Sequence, residues 1–210
     1  MVDVVRRALK EQPAAFGKTF GEPKVGHAGT LDPFAEGVLI ILVGREATRR
    51  QREFMGLLKT YVATLKLGET SDTDDPTGNI TNLTNLTKHK PSIEEIKKTL
   101  NEFIGDIEQT PPTYSAVKLQ GKKAYDIARR GGQPMLKPKT VHIESIKVTR
   151  YDWPFLEIEV ACGSGTYIRA LARDIGEKLG CGAYVVKLTR TRIGPYSIED
   201  AIHEKDLLPH

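Results

Sequence analysis

The apolar positions of this chain change period several times along its 210 residues. Residues 2–10 place Val4, Val5 and Ala8 on one side, which predicts a short amphipathic helix. Residues 13–23 are rich in Gly, Pro and Lys and read as a loop. A continuous apolar run bounded by glycines, residues 37–44, predicts a short buried strand. Residues 46–58 predict a helix that turns Ala47, Phe54, Leu57 and Leu58 inward. From 61 to 67 the period becomes two, with Tyr61, Ala63, Leu65 and Leu67 on one face, and predicts a strand. The following SDTDDPTGN is dense in turn formers, so Asp72, Asp74 and Asp75 read as a solvated turn.

The second half repeats this mixture. Ser92 and Glu95 form a capping box ahead of Ile93, Ile96, Leu100 and Phe103, so a helix starts there, and Gly105 ends it. Residues 122–130 read as a short basic helix. Residues 140–149 and 155–161 read as paired strands, with Leu156, Ile158 and Val160 opposing Glu157 and Glu159. A helix over 167–179 directs Ile168, Leu171, Ile175 and Leu179 inward and stops at Gly180. Residues 184–190 read as a further strand, and Ser197 as the cap of a last short helix. Antiparallel neighbours without a βαβ rhythm predict the α+β class.

Composition narrows the function classes. The apolar fraction is 39% and the charged fraction 28%, as in ordinary globular domains, so disorder is not the default. The net charge of +4 is unevenly spread. Residues 118–150 hold nine Lys/Arg against two Asp/Glu, whereas residues 69–108 hold four against nine. A basic region beside an acidic one suggests a surface that faces a polyanion, because Lys and Arg contacts to phosphates supply most nonspecific nucleic-acid affinity. The two cysteines, Cys162 and Cys181, form no CxxC pair and read as core thiols. The longest apolar stretch, 38–43, is too short to span a membrane, and the N-terminus lacks an apolar signal region. A cytoplasmic protein is expected.

Familiar catalytic templates fail. GxGxxG and GxxxxGK[ST] are missing, and His27, His89, His142, His203 and His210 have no close metal-ligand spacing. The Asp72–Asp74–Asp75 cluster fails as a calcium loop, with Thr77 where the glycine belongs and Leu83 where the bidentate glutamate belongs. No metal or cofactor is expected. Two segments still look chemical. In KVGHAGTLDPFAEGVL, Asp32 is followed by Pro33 just before an apolar run, which fits either an Asp-Pro turn or a carboxylate held for reaction. In CGSGTYIRALARDIGEKLG, Arg169 falls in the first turn of a helix, where the dipole disfavours it. It is either a solvated surface arginine or one held by a carboxylate.

Four blocks, in order, resemble the TruB family of pseudouridine synthases. They are GHAGTLDPFAEGVLIILVGREATR (26–49), KTYVATLKLGETSDTDDPTG (59–78), QTPPTYSAVKLQGKKAYDIARRG (109–131) and GSGTYIRALARDIGEKLGCGAYVVKLTRTRIG (163–194). The extended third block favours the bacterial tRNA enzyme over guide-RNA-dependent relatives. The resemblance implies a pseudouridine synthase fold: a mixed, mainly antiparallel sheet flanked by helices, with a catalytic cleft across it. It implies one catalytic domain over 1–210, entered after the family's Lys-Pro strand and without the PUA-type domain of many relatives. The implied reaction isomerises uridine 55 in the TΨC arm of tRNA, with no cofactor and no obligate protein partner. Asp32 matches the nucleophile, Tyr61 the tyrosine stacked on the target base, and Arg169 the arginine that pairs with the aspartate. His27 matches the histidine that enters the RNA loop, and Tyr167 and Leu188 match pocket-lining positions. Lys118, which opens the basic region, is expected to bind substrate. Attack at C1′, attack at C6 and a glycal route all remain open. Two rivals are an RNA-binding protein that keeps the fold without the chemistry, and a pseudouridine synthase acting on another RNA.

Overall fold

The computed structural model describes residues 1–11, 24–83, 89–119 and 121–207, so the loop expected at 13–23 lies outside the described residues. In chain order, helix α1 (Val2–Glu11) is followed by strands β1 (Val25–Ala28), β2 (Glu36–Gly37) and β3 (Ile40–Val43), then by helices α2 (Arg45–Arg49) and α3 (Gln51–Gly56). Next come β4 (Lys59–Leu67), the ribbon β5 (Glu69–Ser71) and β6 (Ile80–Asn82), helix α4 (Ile93–Asn101) and β7 (Gly105–Gln109). A second ribbon, β8 (Lys118–Leu119) and β9 (Lys122–Lys123), leads to α5 (Ala124–Ala128) and the long strands β10 (Lys139–Asp152) and β11 (Phe155–Cys162). Helix α6 (Ile168–Lys178), strands β12 (Ala183–Ile193) and β13 (Tyr196–Ser197), and two 3-10 turns complete the described chain. The class is α+β.

Two compact units emerge, Met1–Lys59 with Arg190–His210, and Thr60–Thr189. In the first unit, β1 and β3 pair antiparallel, from Val25↔Val43 to Ala28↔Ile40. Val5 and Leu9 of α1 cluster with Val25, and Val2, Ile41, Val43 and Leu207 pack around them. Burying each such side chain is worth roughly 1.5–3 kcal/mol, which fastens α1 to the hairpin. The helix expected over 46–58 is instead the pair α2 and α3, with no buried residue in either, and Leu58 is 47% exposed. Arg50 interrupts the ladder. Within α2 the Thr48 hydroxyl also bonds back onto the carbonyls of Gly44 and Arg45, at 3.0 and 3.1 Å, beside its helical N–H bond to Gly44. Lys59 is buried and donates Nζ to the carbonyls of Met55 and Leu57, satisfying the end of α3. The run over 37–44 is likewise shorter as a strand than expected, with only Val38 and Leu42 of its aliphatic side chains buried.

The second unit is built on a sheet with strand order β12-β4-β11-β10-β7. β10 pairs antiparallel with β11, from Ile143↔Cys162 to Asp152↔Phe155, and antiparallel with β7. The alternation is realised as predicted: Ala63, Leu65 and Leu67 of β4 and Leu156, Ile158 and Val160 of β11 are fully buried. Both cysteines are buried thiols. Ser92 caps α4 through a complete capping box, and α4 packs against β10 and α6. α6 buries Ile168, Leu171 and Ile175. It passes so close to the start of β12 that a Cβ on Gly176 would sit 2.1 Å from the Ala183 nitrogen, so only glycine fits there. The basic helix expected over 122–130 is reduced to α5, because Lys122–Lys123 pairs with Lys118–Leu119 as a ribbon. Ser197 hydrogen-bonds the Asp200 carboxylate rather than a backbone N–H, and precedes a 3-10 turn.

Candidate active site

Asp32 lies in the connection from β1 to β3. Its carbonyl accepts the Ala35 N–H at 2.9 Å, closing a turn with Pro33 in the second position, where its fixed φ is favoured. The Asp-Pro turn is therefore real, and it holds a carboxylate that is half-buried rather than free in solvent. His27, on β1 opposite Ile41, is also half-buried. Its carbonyl accepts the Gln51 side-chain amide at 2.7 Å, and its Nδ1 is buried with no hydrogen-bond partner among the described residues. The loop leaves its turn through β2, where the Gly37 backbone lies against β12. A Cβ on Gly37 would fall 2.2 Å from the Arg190 carbonyl oxygen.

In the second unit, Arg169 stands in the first turn of α6 and is 3% exposed, which excludes the solvated-arginine reading. Its guanidinium donates to the carbonyls of Thr73 and Tyr114, at 2.9 and 3.1 Å, and lies 3.3 Å from Asp75 Oδ2. The solvated turn expected at Asp72–Asp75 is thereby corrected: Asp74 and Asp75 are buried. Asp75 Oδ1 accepts the hydroxyls of Thr73 and Thr77, at 2.7 and 2.6 Å, and the Thr77 N–H at 2.9 Å. Asp72 stays at the surface and closes the loop through Asn79, whose N–H and side-chain amide both donate at 2.8 Å. The loop turns inward because it brings the buried Arg169 guanidinium a carboxylate as well as carbonyls, and brings that carboxylate its own donors. A second pair lies beside the first, with Arg173 at 3.1 Å from Asp74 and 2.8 Å from Asp174. Burial pushes the Asp74 carboxyl up to about 6, although Arg173 and Arg169 pull it down.

Tyr167 precedes α6, and its backbone is pinned from both sides by Gln109 at the end of β7. The Tyr167 N–H donates to Gln109 Oε1 at 2.8 Å, and Gln109 Nε2 donates to the Tyr167 carbonyl at 3.1 Å. Tyr61 is half-buried on β4, and Leu188 is buried on the adjacent β12. Lys118 is exposed on the β8–β9 ribbon and makes no ion pair among the described residues. Sequence reasoning missed Asp75, Gln109 and Arg190. Gln109 carried no signal. Arg190 carried a weak one, a charge two positions after Leu188 on the inward side of a strand. Among the described residues no group of three or more His, Cys, Asp or Glu side chains could hold a metal ion, and no helix is long and apolar enough to cross a membrane.

Comparison with known proteins agrees with this architecture. Residues 17–168 match the TruB family pseudouridylate synthase N-terminal domain, and residues 169–209 the tRNA pseudouridylate synthase B C-terminal domain. The chain is 47% identical over 186 residues to tRNA pseudouridine synthase B of Parabacteroides distasonis, covering 88% of this chain and 77% of that protein. It is 49% identical over 179 residues to the protein of that name from Phocaeicola vulgatus, covering 85% and 75%. Among solved structures it resembles a chain of a Cbf5–Nop10–Gar1 complex, with a TM-score of 0.61 and 30% identity over 83% of this chain. It also resembles a chain of an archaeal box H/ACA sRNP Nop10–Cbf5 complex, with a TM-score of 0.64 and 25% identity over 98% of this chain. It spans 41% and 47% of those two chains, less than half of each. On the strength of these matches over nearly its whole length, the chain belongs to the TruB family of pseudouridine synthases.

Proposed function

We propose that the protein isomerises uridine 55 in the TΨC arm of tRNA to pseudouridine, in the cytoplasm, with Asp32 as nucleophile. The supporting observation is the 47–49% identity, over 85–88% of the chain, to proteins named tRNA pseudouridine synthase B. The reaction breaks the bond from ribose C1′ to N1 and forms one from C1′ to C5. The base loses a proton at C5 and gains one at N1, so the atoms balance. A carboxylate can drive this by covalent attack or by taking a proton. It must be ionised near neutral pH, and in a dry site a nearby cation favours the ionised form. Arg169 is assigned that role. Its own placement is supported by Asp75, which offsets the helix dipole acting against a cation in the first turn.

The target base cannot react while stacked in RNA; it has to be flipped out and held against an aromatic face. Tyr61 is assigned this face, with Tyr167 and Leu188 lining the pocket. His27 is assigned entry into the RNA loop, and Lys118 contact with phosphate. The test uses an unmodified tRNA transcript and maps pseudouridine by position. Conversion at position 55 by the wild type, and its loss in Asp32→Asn with folding and tRNA binding retained, is the expected result. Residual turnover within about tenfold of wild type, only about 1.4 kcal/mol of barrier, removes Asp32 from the role of nucleophile. Binding without any product from the wild type favours an RNA-binding role instead.

A further inference from the structure

The largest fully buried side chain among the described residues is a charged one, Arg190, at 1% exposure. It lies on β12 in the first unit. Its Nε donates to the Val38 carbonyl at 2.8 Å and its Nη2 to the Gly29 carbonyl at 3.1 Å, while its own carbonyl accepts the Val38 N–H at 2.8 Å. Among the described residues no carboxylate pairs with it. A guanidinium costs more to bury than an aliphatic side chain, and here carbonyl dipoles alone receive it. What it supplies is a planar fork that reaches two carbonyls nine residues apart in the chain. Asp32 and its turn lie between those two carbonyls, and Gly37 lets the backbone of β2 close onto Arg190.

We propose that Arg190 is a positioning residue for the reaction: by clamping both ends of segment 29–38 it fixes the place of the Asp32 carboxylate. The proposal rests on the reading of Asp32 as nucleophile. A core-filling arginine would only raise the melting temperature. A positioning arginine also sets the rate of the folded enzyme, because a reacting group displaced by an ångström can lose about a hundredfold.

The experiment measures single-turnover pseudouridine formation at saturating enzyme, per folded molecule, alongside tRNA affinity and thermal melting, for Arg190→Lys, Arg190→Met, Gly37→Ala and Asp32→Asn. Arg190→Met is expected to bind tRNA within about threefold of wild type and to react at least about thirtyfold more slowly, about 2 kcal/mol of barrier. Arg190→Lys, which keeps the charge but not the fork, is expected to fall between the two. Should Arg190→Met fail to fold, Gly37→Ala carries the test. It leaves the guanidinium in place, pushes β2 off the Arg190 backbone, and is expected to slow the same step. A folded Arg190→Met or Gly37→Ala enzyme with the wild-type single-turnover rate overturns the proposal, as does a defect confined to tRNA affinity. Retained turnover in Asp32→Asn overturns the reading of Asp32 instead, whatever the Arg190 variants do.

Discussion

Asp74 has a φ of 59°, in the left-handed region, and its carboxylate lies 3.1 Å from the Arg173 guanidinium. Burial dominates the attraction, so the carboxyl titrates at about 6 rather than at its ordinary value of 3.8. The folded protein therefore binds this proton more tightly than the unfolded chain. Between about pH 4 and pH 6 the Asp74 contribution to stability falls as pH rises, and above that window it is flat. In urea denaturation at pH 7 and pH 5, the wild type should gain about 1 kcal/mol more than Asp74→Asn on acidification. Identical pH dependence in the two proteins would reject this account. Asp75, one residue on, has the opposite surroundings, with three donors on Oδ1 and Arg169 at Oδ2. Neighbouring aspartates in one turn thus differ in role because one receives hydrogen bonds and the other mainly desolvation.

Element by element, agreement with the sequence follows the length of the pattern. β4, β10, β11, α4 and α6 each carry a sustained period, and each occurs where the period predicts it. The capping box of α4 is the sharpest case, since both reciprocal bonds are present: the Glu95 N–H to Ser92 Oγ at 3.2 Å and the Ser92 N–H to Glu95 Oε2 at 2.7 Å. Ser92→Ala is expected to lower stability by about 1 kcal/mol, read from the urea midpoint at constant slope. An unchanged midpoint would mean that packing of Ile96 and Leu100 alone holds the helix. Short or ambiguous patterns fared worse. Residues 46–58 bury no side chain in α2 or α3 that would hold one continuous helix across Arg50, and two lysines of the 122–130 segment were drawn into a ribbon.

Across the whole chain, the net charge of +4 is small, but the clustering of Lys and Arg over 118–150 matters for a polyanionic substrate. Phosphate contacts release counterions, so affinity falls steeply with salt. Raising salt from 50 to 200 mM is expected to weaken tRNA binding at least about tenfold, while the single-turnover rate at saturating enzyme stays constant. A salt-independent dissociation constant would show that phosphate contacts contribute little. Separable binding and chemical steps are the outcome expected if charges spread along the basic region act at encounter and the residues proposed above act in the reaction.

The amino-acid sequence by itself determined the α+β class, the order of the long elements, the buried faces of the sheet and the four motif blocks that mark the family. These are properties of local period, turn chemistry and residue order, and they need no knowledge of distant partners. Tertiary structure alone decided which charges are buried and what holds them. Arg169 reaches Thr73 across 96 positions, and Arg190 reaches Val38 and Gly29 across 152 and 161. A buried charge is stable only if its partners are in place, and nothing in a local pattern says where those partners are. For that reason Asp74 and Asp75 read as a solvated turn, and Arg190 as one more residue of a strand, until the chain closed around them.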